Sequence, residues 1–419
     1  MSGSKSAPKL IEGFFRHEYG KLIAVLVRRV GAQHFDLVED SVQSALMTGL
    51  ESWTLTGLPE SPSAWLYKVA ANNLLGTLRQ DTGREKILLK HAEEALFSLE
   101  TTPEHFSVNE LQDDMLRMLF VCCNDTVPIE SQLVFALKSL CGFTIHEIAH
   151  HLFISEANVY KRFSRARNSL QQHSLKSWEL DQTEYTTRLP AVSNVLYLIF
   201  TEGFLSVNHE FSIRQELCRE AMWLTTMLVN NKIGQTPETF ALLALMYFHM
   251  ARMNSRQDSS GGLLLLEQQD RSLWDRQKIQ IGLTWLEKSA SGNTFSRYHA
   301  EAGIAAEHCL APSFSETRWE QIVENYLFLE QASPSAIYRL NRAVAVAEWQ
   351  GPESGLSVLQ GFESPSWLIG SYLWSAVLAD LHRRCGHIEL AENYRDLAIM
   401  SAPTQALKTL LQNRFNTNK

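Results

Sequence analysis

The sequence predicts an all-α protein, and two observations support this prediction. Long stretches of the 419-residue chain are rich in Leu, Ala, Glu and Arg and contain few runs of β-branched residues, which favours helices over strands. Apolar residues recur at helical spacing, as in FDLVEDSVQSALMTGLESW (35–53), where one stripe is apolar and another is acidic. Apolar residues make up 45% of the chain and charged residues 20%, which is typical of an ordered globular protein.

Composition limits the classes of function. The formal net charge is −8, so any nucleic-acid binding must come from a local basic patch. Six cysteines without a C-x-x-C pair indicate buried thiols in a reducing compartment. The N-terminal segment MSGSKSAPKLIEGFF has no apolar signal core, and the most apolar stretches are too short to span a bilayer. We therefore expect a cytoplasmic protein with no membrane partner.

The chain divides into three predicted helical regions. Residues 10–90 contain several amphipathic helices, with a Gly- and Pro-rich loop before a helix over 64–80 whose N-cap we expect to be Ser63. An acidic, weakly patterned linker covers 91–112, and a compact helical unit follows over 113–175. A larger helical region extends over 188–419.

The last region contains a weak internal repeat. Its segments NRAVAVAEWQGPESGLSVL and SAVLADLHRRCGHIELAENYRDLAIMSAP align when Gly351 is placed over Gly386. The offset is close to the period of tetratricopeptide repeats, about 34 residues. We expect stacked helical hairpins, whose concave surface is suited to a protein or peptide partner. Within this region EQQDRSLWDR (267–276) is too polar for a buried helix, and we expect it to line a groove between helices or a domain interface.

A candidate metal motif lies at residues 146–150, where HEIAH matches the H-E-x-x-H signature of zinc proteases. Such an enzyme also needs a third ligand. The extended form of the motif requires glycine at position 153 and histidine at position 156, where this chain has Phe153 and Glu156. No E-x-x-x-D helix follows either. A zinc-dependent α-helical enzyme is therefore the less favoured interpretation.

A helix-turn-helix explains more of the same segment, GFTIHEIAHHLFISEANVYKRFSRARNSL (142–170). The predicted buried face of the first helix consists of Ile145, Ile148, Ala149 and Leu152, with His146, His150 and His151 as ordinary polar positions. After a turn at Phe153-Ile154, Ser155 is the expected N-cap of the second helix. That helix is predicted to bury Val159, Phe163, Ala166 and Leu170. Its outward residues are Glu156, Asn158, Lys161, Arg162, Arg165 and Arg167, which suit base edges and phosphates.

The order of these segments resembles bacterial sigma factors of the extracytoplasmic-function group, a sigma-70-like family. FDLVEDSVQSAL and SPSAWLYKVAANNLLGTLRQ are similar to sigma domain 2, and residues 142–170 are similar to the helix-turn-helix of sigma domain 4. The segments LYLIFTEGF, LLEQQDRSLWDR, YHAEAGIAAEH and SPSAIYRLNRAVAVAEWQGPESGL resemble the tetratricopeptide-like C-terminal extension of one subgroup. The resemblance thus covers nearly the whole chain.

The resemblance implies a set of binding residues and no catalytic residue, cofactor or metal. The residues implied to dock on the β′ clamp helices of RNA polymerase core are Asp36, Glu39, Asp40 and Gln43, which are otherwise the solvated side of an amphipathic helix. Residues 54–64 would capture a flipped base of the −10 promoter element. The helix implied to face the melting duplex carries Trp65, Lys68, Asn72, Asn73 and Arg79. The −35 element would contact Ser155, Glu156, Asn158, Lys161, Arg162, Arg165 and Arg167, with the β flap as a second polymerase contact.

The sequence departs from the family pattern in sigma domain 2. The family usually has A-R-N-x-x-x-D-x-x-R-R. In this chain Ala71 and Gln80 stand in place of two arginines, and Gly76 stands in place of the aspartate. In addition, Ser44 occupies a position where an acidic residue is common. Fewer cations weaken contacts with the duplex near the −10 element. A DNA-binding regulator or adaptor that does not melt promoters is therefore the main alternative to a sigma factor regulated by its own C-terminal domain.

Overall fold

The computed structural model describes residues 6–81, 108–124, 126–152, 154–172, 180–204, 214–258, 262–332 and 335–416. Within these ranges the chain forms nineteen α-helices and no strand, apart from an isolated β-bridge between Gln257 and Leu263. The all-α prediction is confirmed for this part of the chain. Most of the predicted linker (91–107) lies outside the described residues, as does Phe153.

The chain forms two compact units, Met1–Ile199 and Phe200–Lys419. The predicted regions 10–90 and 113–175 therefore lie together in the first unit. The helices of this unit are α1 (Ser6–Val30), α2 (Phe35–Thr56), α3 (Pro62–Asp81), α4 (Val108–Cys122), α5 (Ile129–Ser139), α6 (Ile145–Leu152), α7 (Glu156–Gln172) and the greater part of α8 (Gln182–Phe204).

One aromatic cluster joins α2, α5 and α7 of the first unit. Phe35 packs 5.3 Å from Phe135 and 6.2 Å from Phe163, and the rings of Phe135 and Phe163 stack at 5.5 Å. Phe35 and Phe135 are completely buried, and Phe163 is 5% exposed. Because each helix contributes one of these rings, the N-terminal helices and the helix-turn-helix share a single hydrophobic core.

Glycine permits a close approach at the same junction. A Cβ atom on Gly20 of α1 would lie 2.0 Å from the Leu140 carbonyl oxygen, at the C-terminal end of α5. Gly142 has a φ of 69°, and a Cβ there would lie 2.6 Å from the Arg16 carbonyl oxygen. Backbone therefore packs against backbone where α1 meets the start of the helix-turn-helix.

Helix α3 begins two residues earlier than the sequence predicts, at position 62 instead of 64. Its first residue is Pro62, and the Trp65 amide donates to the Ser61 carbonyl oxygen. Proline at the first helical position lacks the amide hydrogen that would have no partner there. Ser63 thus lies inside the helix, so its assignment as the N-cap is wrong.

The second unit is built from helical hairpins. Its helices are α9 (Gln215–Asn230), α10 (Pro237–Ala251), α11 (Arg276–Ser289), α12 (Arg297–Leu310), α13 (Trp319–Ala332), α14 (Ala336–Gln350), α15 (Pro352–Leu359), α16 (Ser366–Ile369), α17 (Tyr372–Arg384), α18 (Ile388–Ser401) and α19 (Gln405–Asn416). Gly351 (φ 96°) turns the chain between α14 and α15, and Gly386 (φ 78°) turns it between α17 and α18. In each of these two pairs, the helices pack against each other. The two glycines aligned in the sequence thus occupy equivalent turns.

Two further properties hold for the described residues. None of the six cysteines forms a disulfide; five are buried and Cys385 is half-buried at the turn after α17. Burial raises the pKa of the Cys218 thiol to about 12 and that of the Cys309 thiol to about 11. None of the helices in the described ranges is both long and apolar enough to cross a membrane.

Candidate nucleic-acid interface

Helix α6 is held at its N-terminus by a capping box. The Thr144 hydroxyl accepts a hydrogen bond from the Glu147 amide at 3.1 Å, and Glu147 Oε2 accepts one from the Thr144 amide at 2.7 Å. Arg16 of α1 donates to the other carboxylate oxygen of Glu147. This arrangement satisfies two amides that the helix leaves unpaired, so Glu147 has a structural role in α6.

The histidines within and directly after the HEIAH segment have different surroundings. His146 is exposed, with Nδ1 2.9 Å from Oε1 of Glu156 at the start of α7. His151 is 8% exposed and packs edge-on against Phe143 at 5.1 Å, so its predicted position on the polar face is wrong. Within the described ranges no group of three His, Cys, Asp or Glu side chains is placed to hold a metal ion.

Helix α7 has the amphipathic pattern that the sequence predicts. Ser155 Oγ accepts a hydrogen bond from the Asn158 amide at 3.3 Å, which confirms the predicted N-cap. The predicted buried residues are at most 5% exposed: Val159, Phe163, Ala166 and Leu170. In α6, Ile148 and Ala149 are buried, whereas Ile145 and Leu152 are half-buried. Each of the two helices thus has an apolar face that is at least partly buried, as the sequence predicts.

The opposite face of α7 is exposed and basic. The helix carries four cations and one carboxylate. The predicted contact residues that are exposed are Ser155, Glu156, Asn158, Lys161 and Arg165, while Arg162 and Arg167 are half-buried. A shallow groove of about 550 Å³ is lined by Thr126, Lys161, Ser164, Arg165, Asn168 and Ser169. Hydroxyl, amide and cationic side chains are the groups that bind phosphate oxygens along a nucleic-acid backbone.

Arg167 has a partner within the first unit. Its Nη1 lies 3.0 Å from Oδ1 of Asp36 at the start of α2, and Gln171 Nε2 donates to Oδ2 of the same carboxylate at 3.1 Å. The sequence assigns Arg167 to DNA and Asp36 to polymerase. The structure instead brings these two residues together.

Glu39 is also engaged inside the first unit. The residue as a whole is 9% exposed, and its carboxylate accepts hydrogen bonds from Lys138 Nζ at 2.6 Å and from the Tyr19 hydroxyl at 2.8 Å. Burial and the Glu39 charge raise the pKa of Tyr19 well above its usual value. Asp40 and Gln43 are exposed. Two of the four predicted docking residues thus face solvent, and Glu39 lies in the interior.

The predicted −10 residues follow one side of α3. Lys68, Asn72 and Arg79 are exposed, and Asn73 is half-buried. Trp65 is half-buried and packs edge-on against Trp53 at 5.4 Å. The Trp65 indole is therefore packed against the core on one side and accessible to solvent on the other.

Sequence reasoning missed two apolar side chains beside these residues. Leu55 is 87% exposed at the end of α2, and Leu58 is 66% exposed in the loop before α3. Single exposed leucines are common on protein surfaces. Because they lie within the predicted base-capturing segment 54–64, they are further candidate binding residues. The signal that could have identified them in the sequence is a pair of leucines in a loop rich in Gly and Pro.

A larger groove of about 1140 Å³ separates α2 from the start of the helix-turn-helix. Its apolar lining includes Phe15, Leu46, Leu50, Phe143, Ile145 and Tyr160. Its polar lining includes Gln43, His146 and Glu156. The exposed part of the predicted docking face therefore borders an apolar groove.

Known proteins give the chain a family. A model described as a family of unknown function (DUF6596) matches residues 188–290. A protein of Rhizobium meliloti (strain 1021), described as an uncharacterized protein, is 33% identical over 359 residues, which cover 84% of each chain. The chain belongs to the family of this rhizobial protein. Because 359 residues exceed the length of either unit, the similarity extends into both. No solved structure matches the chain.

Proposed function

We propose that this protein is a sigma factor: it binds RNA polymerase core, directs promoter recognition and transcription initiation, and is regulated by its second unit. The observation that carries the proposal is the helix-turn-helix of α6 and α7. Its second helix exposes Asn158, Lys161 and Arg165. On its other face this helix shares an aromatic core with α2 and α5. The family relation to an uncharacterized protein is neutral on this point.

In the proposed mechanism α7 enters the major groove of the −35 element. Its capped N-terminus directs Ser155, Glu156 and Asn158 toward base edges, and Lys161 and Arg165 contact phosphates through the groove they line. Each phosphate contact releases counterions, so the affinity falls with increasing salt.

The −10 element is read by α3 and the loop before it. Lys68 and Arg79 are exposed cations along the helix, suited to the backbone of the melting duplex. The exposed Leu55 and Leu58 provide apolar contacts for an unstacked base, whose extrusion costs a few kcal/mol (about 1–4) that the captured state must offset. The polymerase supplies the nucleotidyl chemistry, and this chain supplies binding energy.

Polymerase binding uses α2 in this proposal. Asp40 and Gln43 are accessible, whereas Asp36 is paired with Arg167 and Glu39 is buried against Lys138. Full docking through all four residues requires the first unit to open between α2 and the helices α5 and α7. The second unit then regulates the factor by biasing this opening, since a regulator acts through its different affinities for two states.

A second candidate is a DNA-binding regulator that does not melt promoters. It is favoured by Ala71 and Gln80, which stand where the resembled family has cations, and by the interior position of Glu39. It predicts DNA binding without core polymerase and no initiation. A zinc enzyme has less support, because Glu147 caps α6 and contacts Arg16.

The test is run-off transcription with the full chain and purified polymerase core, on the region upstream of the gene that encodes this protein. The wild type is compared with Arg165→Ala, which removes an exposed cation of α7, and with Arg219→Ala as a control. Arg219 is an exposed arginine of the second unit that donates to Gln215. We expect core-dependent transcripts from the wild type and the control, and transcripts reduced about tenfold in Arg165→Ala, corresponding to about 1.4 kcal/mol.

The outcomes separate the two candidates. Transcripts that depend on core and fall with Arg165→Ala support the sigma factor. DNA binding that does not need core, together with the absence of transcripts, supports the regulator. A wild-type chain that binds neither core nor DNA contradicts both.

A further inference from the structure

Five basic side chains meet in the interior of the second unit. Arg252 is the C-cap of α10, and Arg256 lies just after the short turn that follows. Arg271 lies in the polar segment 267–276 that the sequence analysis singles out. His249 belongs to α10 and His308 to α12. We call these residues the arginine–histidine cluster. Arg252 is 9% exposed, and the other four side chains are half-buried.

Trp274 organises the cluster. The guanidinium carbons of Arg252 and Arg271 lie 5.4 and 4.5 Å from the centroid of its ring, and its indole N–H donates to the Ser255 hydroxyl at 2.7 Å. Trp274 is 3% exposed. A single buried indole thus holds two guanidinium groups close together through cation–π contact.

Helix C-termini neutralise part of this charge. Arg271 Nη1 donates to the carbonyl oxygens of His308 and Ala311 at 2.7 and 2.8 Å, at the end of α12, and Arg256 Nη1 donates to the Phe204 carbonyl at the end of α8. Arg252 is itself the C-cap of α10. Each helix end offers roughly half a negative charge, so three ends leave about half of the charge of three arginines uncompensated.

Carboxylates do not compensate the remaining positive charge of the three arginines. Among the described residues none forms an ion pair with Arg252, Arg256 or Arg271. Glu316 is the carboxylate that influences Arg271, and it accepts a hydrogen bond from Ser313 instead. Arginine stays protonated in proteins, so a counter-charge must come from elsewhere.

Four nitrogen atoms of the cluster are buried without a hydrogen-bond partner in the described part of the chain. They are His249 Nδ1, Arg252 Nε, Arg271 Nη2 and His308 Nδ1. Leaving such an atom unpaired costs about 1–3 kcal/mol each. Arg252 forms no side-chain hydrogen bond within these ranges, although its guanidinium group is buried.

We propose that the arginine–histidine cluster is a binding site for a small oxyanion, a phosphate group or a carboxylate. Guanidinium groups bind such anions with paired N–H donors, and an oxygen-rich anion would satisfy the four unpaired nitrogens together with the excess positive charge. The site lies entirely in the second unit. The proposal therefore stands independently of the sigma factor proposal, and it would give the second unit a chemical signal to respond to.

The test measures ligand binding by the full chain in a chloride buffer. Inorganic phosphate and acetate are titrated separately at constant ionic strength, and binding is followed by calorimetry and by the shift in Tm. We expect saturable binding of one anion per chain, since general stabilisation by excluded salts does not saturate. A response to phosphate assigns a phosphate ligand, and a response to acetate alone assigns a carboxylate ligand.

Variants locate the site. Arg252→Met keeps an apolar stem and removes the most buried cation, and we expect affinity about 10- to 100-fold weaker, as for a lost charged hydrogen bond. Arg219→Met, at an exposed arginine of α9, should leave binding unchanged. If Arg252→Met fails to fold, Arg271→Lys retains the charge, removes the Nη2 donor, and should also weaken binding. Saturation by neither anion, or unchanged affinity in both cluster variants, overturns the proposal.

Discussion

Lys138 and Glu39 form a largely buried ion pair in the first unit. Each side chain is 12% exposed, and the Tyr19 hydroxyl lies within hydrogen-bond distance of both. The sequence could identify Glu39 as a polar position on α2, but it could not identify the partner, because Lys138 is distant in the chain. The pair satisfies two charges that burial would otherwise penalise.

Removing one member of this pair should be costly. Lys138→Met leaves the Glu39 carboxylate buried without a counter-charge, so we expect the free energy of unfolding to fall by about 3–5 kcal/mol. Adding Glu39→Gln should recover much of this loss, because the buried charge is then gone. Urea denaturation of the two single variants and the double variant measures the coupling. Additive losses would mean that the contact contributes nothing specific.

The cluster histidines should make the second unit sensitive to acid. Burial, followed by the charges of Arg252 and Arg271, lowers the pKa of His308 from 6.5 to about 3, and burial lowers the pKa of His249 as well. Below pH 6.5 the unfolded chain takes up protons that the native chain does not, so stability decreases from pH 6.5 toward pH 3. The slope is about 1.4 kcal/mol per pH unit for each histidine.

Thermal unfolding between pH 7.5 and about pH 5, in buffers without phosphate or carboxylate, measures this effect. The variant His308→Gln should show a shallower decrease than the wild type, because one titrating group is absent. Arg219→Gln changes an exposed arginine, which does not titrate in this range, and should leave the slope unchanged. Equal slopes in the wild type and His308→Gln would contradict the assignment.

At the scale of elements, α7 was predictable and the packing of α1 was not. Four apolar residues at helical spacing and a serine N-cap are local signals, and the structure confirms them. Gly20 has no local signal, since its role depends on the Leu140 carbonyl of another helix. The start of α3 was misplaced because a serine and a proline compete for adjacent capping positions.

Two glycine substitutions distinguish close packing from helix propensity. Gly20→Ala places a Cβ atom against the Leu140 carbonyl, and we expect a loss of about 1–3 kcal/mol in the free energy of unfolding. Gly76→Ala is the matched control in α3, where nothing lies within 4 Å of the added atom, and it should gain about 0.5–1 kcal/mol. Denaturant titration measures both, and a gain in both variants would show that α1 does not need the close approach.

At the scale of the whole molecule, the sequence predicts the all-α class and the turn glycines of the second unit. It does not predict that the N-terminal helices and the helix-turn-helix share one core, because those contacts join residues about 100 positions apart, such as Glu39 and Lys138. The arginine–histidine cluster was equally hidden. Its members come from α10 and the turn that follows it, from α12 and from the polar segment 267–276, and the sequence analysis singles out only the last of these.

In the proposed mechanism, the Asp36–Arg167 ion pair stabilises the closed first unit and therefore opposes the binding of polymerase core. Arg167→Ala removes the cation paired with Asp36 and leaves, among the described residues, only the Gln171 hydrogen bond, so the proposed affinity for polymerase core should rise. Both side chains are at least 30% exposed, which limits the effect to about 1 kcal/mol, or about fivefold. Arg165→Ala is the matched control, since Arg165 is exposed and lines the groove that we propose to contact DNA, not polymerase. Core binding by fluorescence anisotropy measures both, and equal affinities would show that the pair does not restrain docking.

The cysteine distribution has a practical consequence for chemical labelling. Only thiolates react readily with maleimides and disulfide reagents, and buried thiols are protected from them. Five of the six cysteines are buried, and Cys385 is half-buried at the turn between α17 and α18. At mildly alkaline pH the native wild-type chain should therefore accept one fluorophore, at Cys385, without any engineered cysteine. When the chain unfolds, the buried thiols become accessible and react with the same reagent. The number of labels per chain therefore measures unfolding of the two units.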